Sequence, residues 1–396
     1  MGIYLDDAAT SRPNDAVIHA VHTYMDTRWG NPSATYSLSS DPFDTITKVR
    51  RLVKDYINAS PVDNVVFTSG GSESNSWAIQ GWAKAMRSHT KSTVLITSNI
   101  EHASVMDCVT DMTRCWFIDS KPKIVHVDHE GFVRLNELKD ILDQHQDCNI
   151  LVSIQFANNE IGTIQHIKEI SDLVHSYGGV FHTDAVQAFG HIPIDVRELG
   201  IDMLSASGHK IGAPKGVGFL YIRNGIELAP LIYGKQNDGL RGGTENVAGI
   251  AGFGVALNNC RADIDYELRL TLLRNNLLSL LKPLNIKVNG SLTERLPNNL
   301  SITFCGDVSA DNLVYLLDTC GVYIGTGAAC NSTSIKGSHV LRAIGLNDFE
   351  NMKTIRLTIP RDITMEELEQ AAKLIKQQVM LMTIDENDSV YARDVF

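Results

Sequence analysis

From about residue 60 to residue 225, short runs rich in β-branched residues alternate with amphipathic stretches. The runs fall at 65–68, 93–97, 123–127, 150–156, 179–183, 203–206 and 217–222. Helical patterns lie between them at 74–87, at 167–176 and in a short segment ahead of Gly200. This rhythm predicts an α/β unit with a mostly parallel seven-stranded sheet, because parallel neighbours need a crossover between them. In such sheets ligands sit beyond the carboxyl ends of the strands, so the residues that directly follow each run are the first places to look for chemistry.

After 241–246 a long helical stretch, roughly 248–281, carries the chain out of that sheet. The pattern then changes. Short strands near 300–304, 323–324 and 354–358 alternate with helices at 311–318 and 365–381, which reads as a smaller α+β unit. A chain of 396 residues has room for both. No repeat, low-complexity tract or flexible linker separates them, so they are expected to pack tightly together.

Composition removes several function classes. At 43% hydrophobic and 20% charged residues, with no long apolar run, the chain reads as soluble and globular with no membrane span. The opening MGIYLDDAAT places aspartates where a signal peptide needs basic and then apolar residues, and Asp6 spoils a myristoylation pattern, so a cytoplasmic protein is expected. A net charge of -11 argues against the basic footprint of a nucleic-acid binder and favours a small-molecule substrate or a protein partner. The seven cysteines, at 108, 115, 148, 260, 305, 320 and 330, are odd in number, with no CxxC pair and no Cys/His cluster. Reduced thiols and no metal site are expected, with most cysteines acting as small buried hydrophobes.

Three segments after strand runs carry candidate chemistry. FTSGGSESN at 67–75 ends a strand in a small-residue turn, where Gly71 and Ser72 either cradle a phosphate at a helix start or form a plain turn. FHTDAVQ at 181–187 puts Asp184 directly after a strand, to grip a protonated ring nitrogen or to cap the next helix. SASGHKIGAPKGVG at 205–218 sets Lys210 at a strand end beside Ser207 and His209, either as a Schiff-base lysine or as a solvated charge. A phosphate turn, an aspartate and a lysine, each following a strand of one sheet, make a far more specific set than any one alone.

These segments resemble the cysteine desulfurases, which belong to the fold-type-I enzymes of pyridoxal 5'-phosphate (PLP). The resemblance also rests on GNPS (30–33), EHASV (101–105), NNEIG (158–162), RGGTEN (241–246), LPNNLS (296–301) and SHVLRAIG (338–345), in family order from Tyr4 to beyond Arg356. It implies a large PLP-binding domain over 15–258 and a small domain built from 1–14 and 259–396 that carries a catalytic cysteine loop. It further implies that Lys210 bonds the cofactor and, once freed, takes the substrate Cα proton, and that Asp184 pairs with the ring nitrogen. His102 would stack on the ring and assist proton transfer, with Asn159 and Gln187 near the phenolic oxygen. Gly71, Ser72, Ser207 and His209 would hold the phosphate, joined by Thr244 from the neighbouring subunit of a homodimer. Arg356 and Asn159 would bind the substrate, Arg356 clamping its carboxylate.

Cys330, in the small-residue run 325–334, matches the family's nucleophile. Eight positions separate it from Ser338, a spacing like that of the long-loop branch, in which a persulfide on the cysteine passes to an acceptor protein. A free thiol titrates near about 8.5, so the cationic site around Arg356 or a proton acceptor such as His102 is expected to help form its thiolate. The implied reaction removes sulfur from L-cysteine and leaves L-alanine. Two places depart from the family: Tyr36 stands where a histidine is usual, and Lys235 to Asp238 replaces a Gly/Gln/Glu-rich segment. A selenocysteine lyase or a cystine C–S lyase is the nearest alternative, weighed against by Cys330. A sulfur-carrier scaffold is weighed against by the intact set of Lys210, Asp184, His102 and Cys330. The acceptor stays open among iron–sulfur assembly, tRNA thiolation and DNA modification.

Overall fold

The computed structural model describes residues 2–87, 89–114, 121–263, 265–327 and 337–391. Among these, twelve strands form two sheets: β1 (Ile3–Leu5), β2 (Asn64–Thr68), β3 (Thr93–Ser98), β4 (Lys123–Val125), β5 (Asn149–Ser153), β6 (Val180–Asp184), β7 (Met203–Ser207), β8 (Gly218–Ile222), β9 (Ile286–Val288), β10 (Asn299–Phe304), β11 (Val322–Thr326) and β12 (Thr354–Thr358). The larger sheet has the order β2-β8-β7-β6-β5-β3-β4. The pairs from β7 through β6, β5 and β3 to β4 are parallel, and only β8 runs against its neighbours. All seven strands of the expected mostly parallel sheet are present.

Both faces of this sheet are covered, and the period of two in each strand divides the apolar residues between them. Val65, Phe67, Val94, Ile96, Val152, Phe219 and Tyr221 join one core, packed on by Val49 and Val53 of the helix Ser40–Tyr56 and by Phe253 of the helix Val247–Ala262. Their sequence neighbours Val66, Leu95, Leu151, Leu220 and Ile222 point the other way, against Trp77, Ile79 and Trp82 of the helix Gly71–Met86. Each such burial contributes roughly 1.5–3 kcal/mol, so shifting one strand by one residue would cost several kcal/mol.

The smaller sheet has the order β1-β11-β12-β10-β9, parallel only between β1 and β11. Its own core gathers Leu300, Ile302, Phe304, Ile355 and Leu357 with Leu270 and Leu277 of the helix Tyr266–Leu281 and Leu368 and Ile375 of the helix Met365–Tyr391. Because β1 belongs here, the residues that follow it run from the small sheet to the C-terminal ends of the large one.

Three expectations are corrected. The stretch 248–281 is two helices, Val247–Ala262 and Tyr266–Leu281. Asp263 leaves the helical conformation (φ -91°, ψ 71°), and its carboxylate accepts from both Arg269 and Arg361 at 2.8 Å, contacts a continuous helix would not offer. The segment ahead of Gly200 is a run of turns, because Asp195 Oδ1 takes the main-chain N–H groups of Arg197 and Glu198. Cys305 and Cys320 are exposed, whereas Cys108 and Cys260 are buried as expected, and these four and Cys148 are free thiols. No described helix is long and apolar enough to cross a membrane.

Candidate active site

The turn after β2 is shaped by glycine. Gly70 adopts φ +154°, and a Cβ on Gly71 would come within 2.5 Å of Val186 Cγ2. The helix that starts at Gly71 has no side-chain cap, so its first N–H groups keep their capacity for an anion. Glu73 in its first turn instead accepts Ser69 N–H and two hydrogen bonds from Arg241, at 2.9 and 3.3 Å, tying the 241–246 segment to the turn.

At the end of β6, Asp184 Oδ1 takes the Val186 N–H and Oδ2 takes Asn75 Nδ2 at 2.7 Å. Asn75 Nδ2 also donates to Ser104 Oγ (2.9 Å), which lies 2.8 Å from His102 Nδ1. Ser104 N–H donates to that same ring nitrogen at 3.1 Å. Nδ1 is thus an acceptor, and a neutral His102 carries its proton on Nε2. Asn75 and Ser104 join the histidine and the aspartate into one network.

Glu101, which precedes His102, is fully buried, and its carboxylate oxygens accept Gln155 N–H at 3.1 and 2.9 Å as well as Ser98 Oγ. Burial pushes the Glu101 carboxyl up to about 8 against these hydrogen bonds. An unfolded glutamate loses its proton near 4.5, so between about 4.5 and about 8 the folded chain binds more protons and this contribution to stability falls as pH rises. Glu101→Gln is expected to make the decline of the thermal midpoint across that window shallower; an equal decline in wild type and variant would show that Glu101 is ionised in the fold.

Ser207 ends β7, and the short helical turn Gly208–Lys210 follows. Lys210 Nζ donates to the carbonyls of Ala8 (2.6 Å) and Ala9 (3.0 Å), in the segment arriving from β1. Gln187 Nε2 also donates to Ala8 O at 3.2 Å. Burial, with the charges of Lys210 and Lys215, pushes His209 down to about 4 and keeps it neutral near pH 7.

Arg356, on β12 of the small sheet, is 2% exposed. Nη2 donates to Asp6 Oδ1 at 2.7 Å and Nη1 to the Asn159 carbonyl at 3.1 Å, while Nε is buried with no hydrogen-bond partner among the described residues. Its plane lies close against β11: a Cβ on Gly325 would sit 3.1 Å from Nη2 and 3.3 Å from Nε. Glu160 is buried nearby and accepts from Ser338 Oγ; burial raises it to about 7 despite that bond and the charges of Arg356 and His102.

One cavity of about 400 Å³ collects these groups. Gly71, Ser72, His102, Asn159, Asp184, Gln187, Ser207, His209, Lys210 and Arg356 all line it. Thr244 is exposed and does not line it, and Tyr36 is 53% exposed and also outside it. Cys330 lies outside the described residues. Sequence reading passed over Asn75, Ser104, Asp6, Glu101 and Glu160. Asn75 and Ser104 stood inside the quoted segments 67–75 and 101–105, where polar residues at helix starts were the available signal.

The family model for class-V aminotransferases matches residues 3–371. The cysteine desulfurase IscS of Methanosarcina thermophila is 41% identical over 382 residues, covering 95% of this chain and 92% of its own. The chain belongs to the cysteine desulfurases. Among solved structures, a NifS-like protein superposes on the desulfurase with a TM-score of 0.88 at 32% identity, covering 96% of this chain and 100% of that one. SspA in complex with cysteine superposes with a TM-score of 0.77 at 32% identity, covering 91% and 99%.

This desulfurase is PLP-dependent and has the PLP fold-type-I architecture. Its cavity fits that cofactor. It offers a carboxylate for a pyridinium, a primary amine for a carbonyl and an uncapped helix start for a phosphate, and the buried Asn75 Oδ1 and Arg356 Nε are left without partners among the described residues.

Proposed function

We propose that this desulfurase takes L-cysteine into the cavity between the large sheet and β12, passes the substrate sulfur to Cys330 as a persulfide, and releases L-alanine. The observation that carries the reading is the convergence of Lys210, Asp184 and Arg356 on one cavity. PLP, when bound, supplies an electron sink for the charge left at the substrate Cα. Lys210 would hold it through Nζ, and Asp184, braced by Asn75 and Val186, would keep its ring nitrogen protonated. Gly71, Ser72, Ser207 and His209 would take its phosphate, and His102, Asn159 and Gln187 would complete its pocket. Lys210 Nζ, once free, carries the Cα proton. The Sγ of Cys330 bonds to the substrate sulfur as the C–S bond breaks, and the substrate Cβ gains a proton. With Nδ1 accepting from Ser104 N–H, a neutral His102 is a hydrogen-bond donor at Nε2.

The residues further support a division into a large unit, 15–258, and a small unit, 1–14 with 259–396. The chain is proposed to act as a homodimer in which Thr244 of one subunit reaches the phosphate of the other. Its exposure and the Arg241–Glu73 pair beside it support that role. A sulfur-acceptor protein then discharges Cys330. The cytoplasm, where free thiols persist, suits these roles.

Arg356 is assigned the substrate carboxylate, to which its unpaired Nε points the chemistry. Arg356→Lys keeps the charge and loses the planar fork, so KM for L-cysteine should rise about tenfold or more with a smaller change in kcat. Sulfide release in a thiol reductant measures both constants. An unchanged KM would remove Arg356 from substrate binding.

A further inference from the structure

A second space of about 240 Å³, which shares only Lys210 with the cavity just described, is lined by Asp7, Ser11, His191, Lys210, Tyr266 and Arg361, among others. The mechanism above uses His191 and Tyr266 for nothing. Yet the two are buried, at 7% and 5% exposure, and are hydrogen-bonded to each other, with His191 in turn bonded to the Lys210 carbonyl.

The direction of each hydrogen bond is fixed by one end. The Lys210 carbonyl can only accept, and it takes His191 Nε2 at 3.0 Å and Ser11 Oγ at 2.8 Å. His191 therefore carries its proton on Nε2, its Nδ1 must accept, and Tyr266 Oη at 2.6 Å must donate. Tyr266 is itself braced. The Arg361 guanidinium lies 3.8 Å above its ring and is held by Asp263 Oδ2 at 2.8 Å and the Gly190 carbonyl at 2.9 Å. Tyr266 opens the helix of the small-sheet core, whereas Lys210 follows β7 of the large sheet, so this strut runs from one sheet's core to the other's lysine.

We propose that His191 and Tyr266 are positioning residues for Lys210: with Ser11 they fix the main chain from which the lysine amine reaches its cavity, and so set how firmly that amine holds PLP. The inference rests on the reading of Lys210 as the lysine that bonds the cofactor. Neither residue touches the cavity in which that chemistry takes place. Their action is through the backbone alone. Removing the Tyr266 hydroxyl strands a buried acceptor on His191 and loosens the donor aimed at Lys210, while the ring still supports Arg361.

The test uses the PLP-loaded enzyme and follows cofactor release, the pH midpoint of its visible band and the thermal midpoint. Tyr266→Phe and His191→Phe should speed PLP release about tenfold and displace the midpoint of the visible band, whereas His191→Gln, which can still donate and accept, should stay within about twofold of wild type. If both phenylalanine variants release PLP at the wild-type rate with an unmoved band, the strut is merely structural and the proposal is overturned, whatever happens to the thermal midpoint. Equal acceleration in His191→Gln and His191→Phe would also overturn it, because filling space and not hydrogen bonding would then be at work. Lys210→Ala separates the premise: wild-type PLP retention in that variant would remove the lysine reading itself, while rapid loss there with unmoved His191 and Tyr266 variants would refute the strut alone.

Discussion

Lys210→Ala is expected to yield protein that loses PLP on purification and desulfurates L-cysteine more slowly by about four orders of magnitude, because both roles proposed for Lys210, the covalent hold on the cofactor and the proton carrier, are removed together. The geometry explains why no neighbour substitutes. Among the residues lining the cavity the other basic side chains are His102, His209 and Arg356, and each is committed elsewhere. His102 is engaged through Nδ1 by Ser104, and Arg356 is bound to Asp6 and Asn159. His209 is neutral and pushed down to about 4. Folding should survive, since the Lys210 main chain keeps its bonds to Ser11 and His191 when the side chain, which donates to the Ala8 and Ala9 carbonyls, is removed. Visible absorbance and sulfide release report the two losses separately. A variant that keeps a wild-type PLP band and rate would place the covalent link on another residue.

Cys330→Ser is expected to keep the PLP band and the spectral response to L-cysteine while sulfide release falls by about a thousandfold or more, since a hydroxyl is a far poorer nucleophile toward sulfur than a thiolate. The described part of the chain narrows the field. None of its five cysteines lines the cavity, and burial pushes the Cys108 thiol up to about 11. Cys115 and Cys330 are the two that remain, and only Cys330 sits within the small-residue segment that joins β11, next to Arg356, to Ser338, next to Glu160. Desulfuration retained by the serine variant would assign the nucleophile elsewhere, with Cys115→Ser as the matching control.

The large sheet was legible in the sequence because its strands are buried on both faces and so read as apolar runs such as VVF at 65–67 and ILV at 150–152. The position of the site followed from the same pattern, since Gly71, His102, Asn159, Asp184 and Lys210 each stand past the C-terminal end of a strand of the large sheet or at it. What stayed hidden depends on contacts distant in sequence. Asn75 meets Asp184 across 109 positions and Arg356 meets Asp6 across 350, and no local pattern signals either pair. The break at Asp263 escaped notice for a similar reason. The apolar spacing continues through it, and the arginines that claim its carboxylate come from residues 269 and 361. His191 and Tyr266 gave no signal at all, because a histidine in a turn and a tyrosine at a helix start are ordinary until the fold brings them to the Lys210 carbonyl.

PLP-dependent chemistry in this cavity is proposed to convert L-cysteine to alanine with transfer of its sulfur to a protein thiol. The most direct test incubates the PLP-loaded enzyme with L-cysteine and an excess of thiol reductant, then quantifies alanine, sulfide and pyruvate together. Alanine and sulfide are expected in equal amounts, with no pyruvate and with both products lost when PLP is removed. Sulfide accompanied by pyruvate in place of alanine, or turnover that persists without PLP, would contradict it.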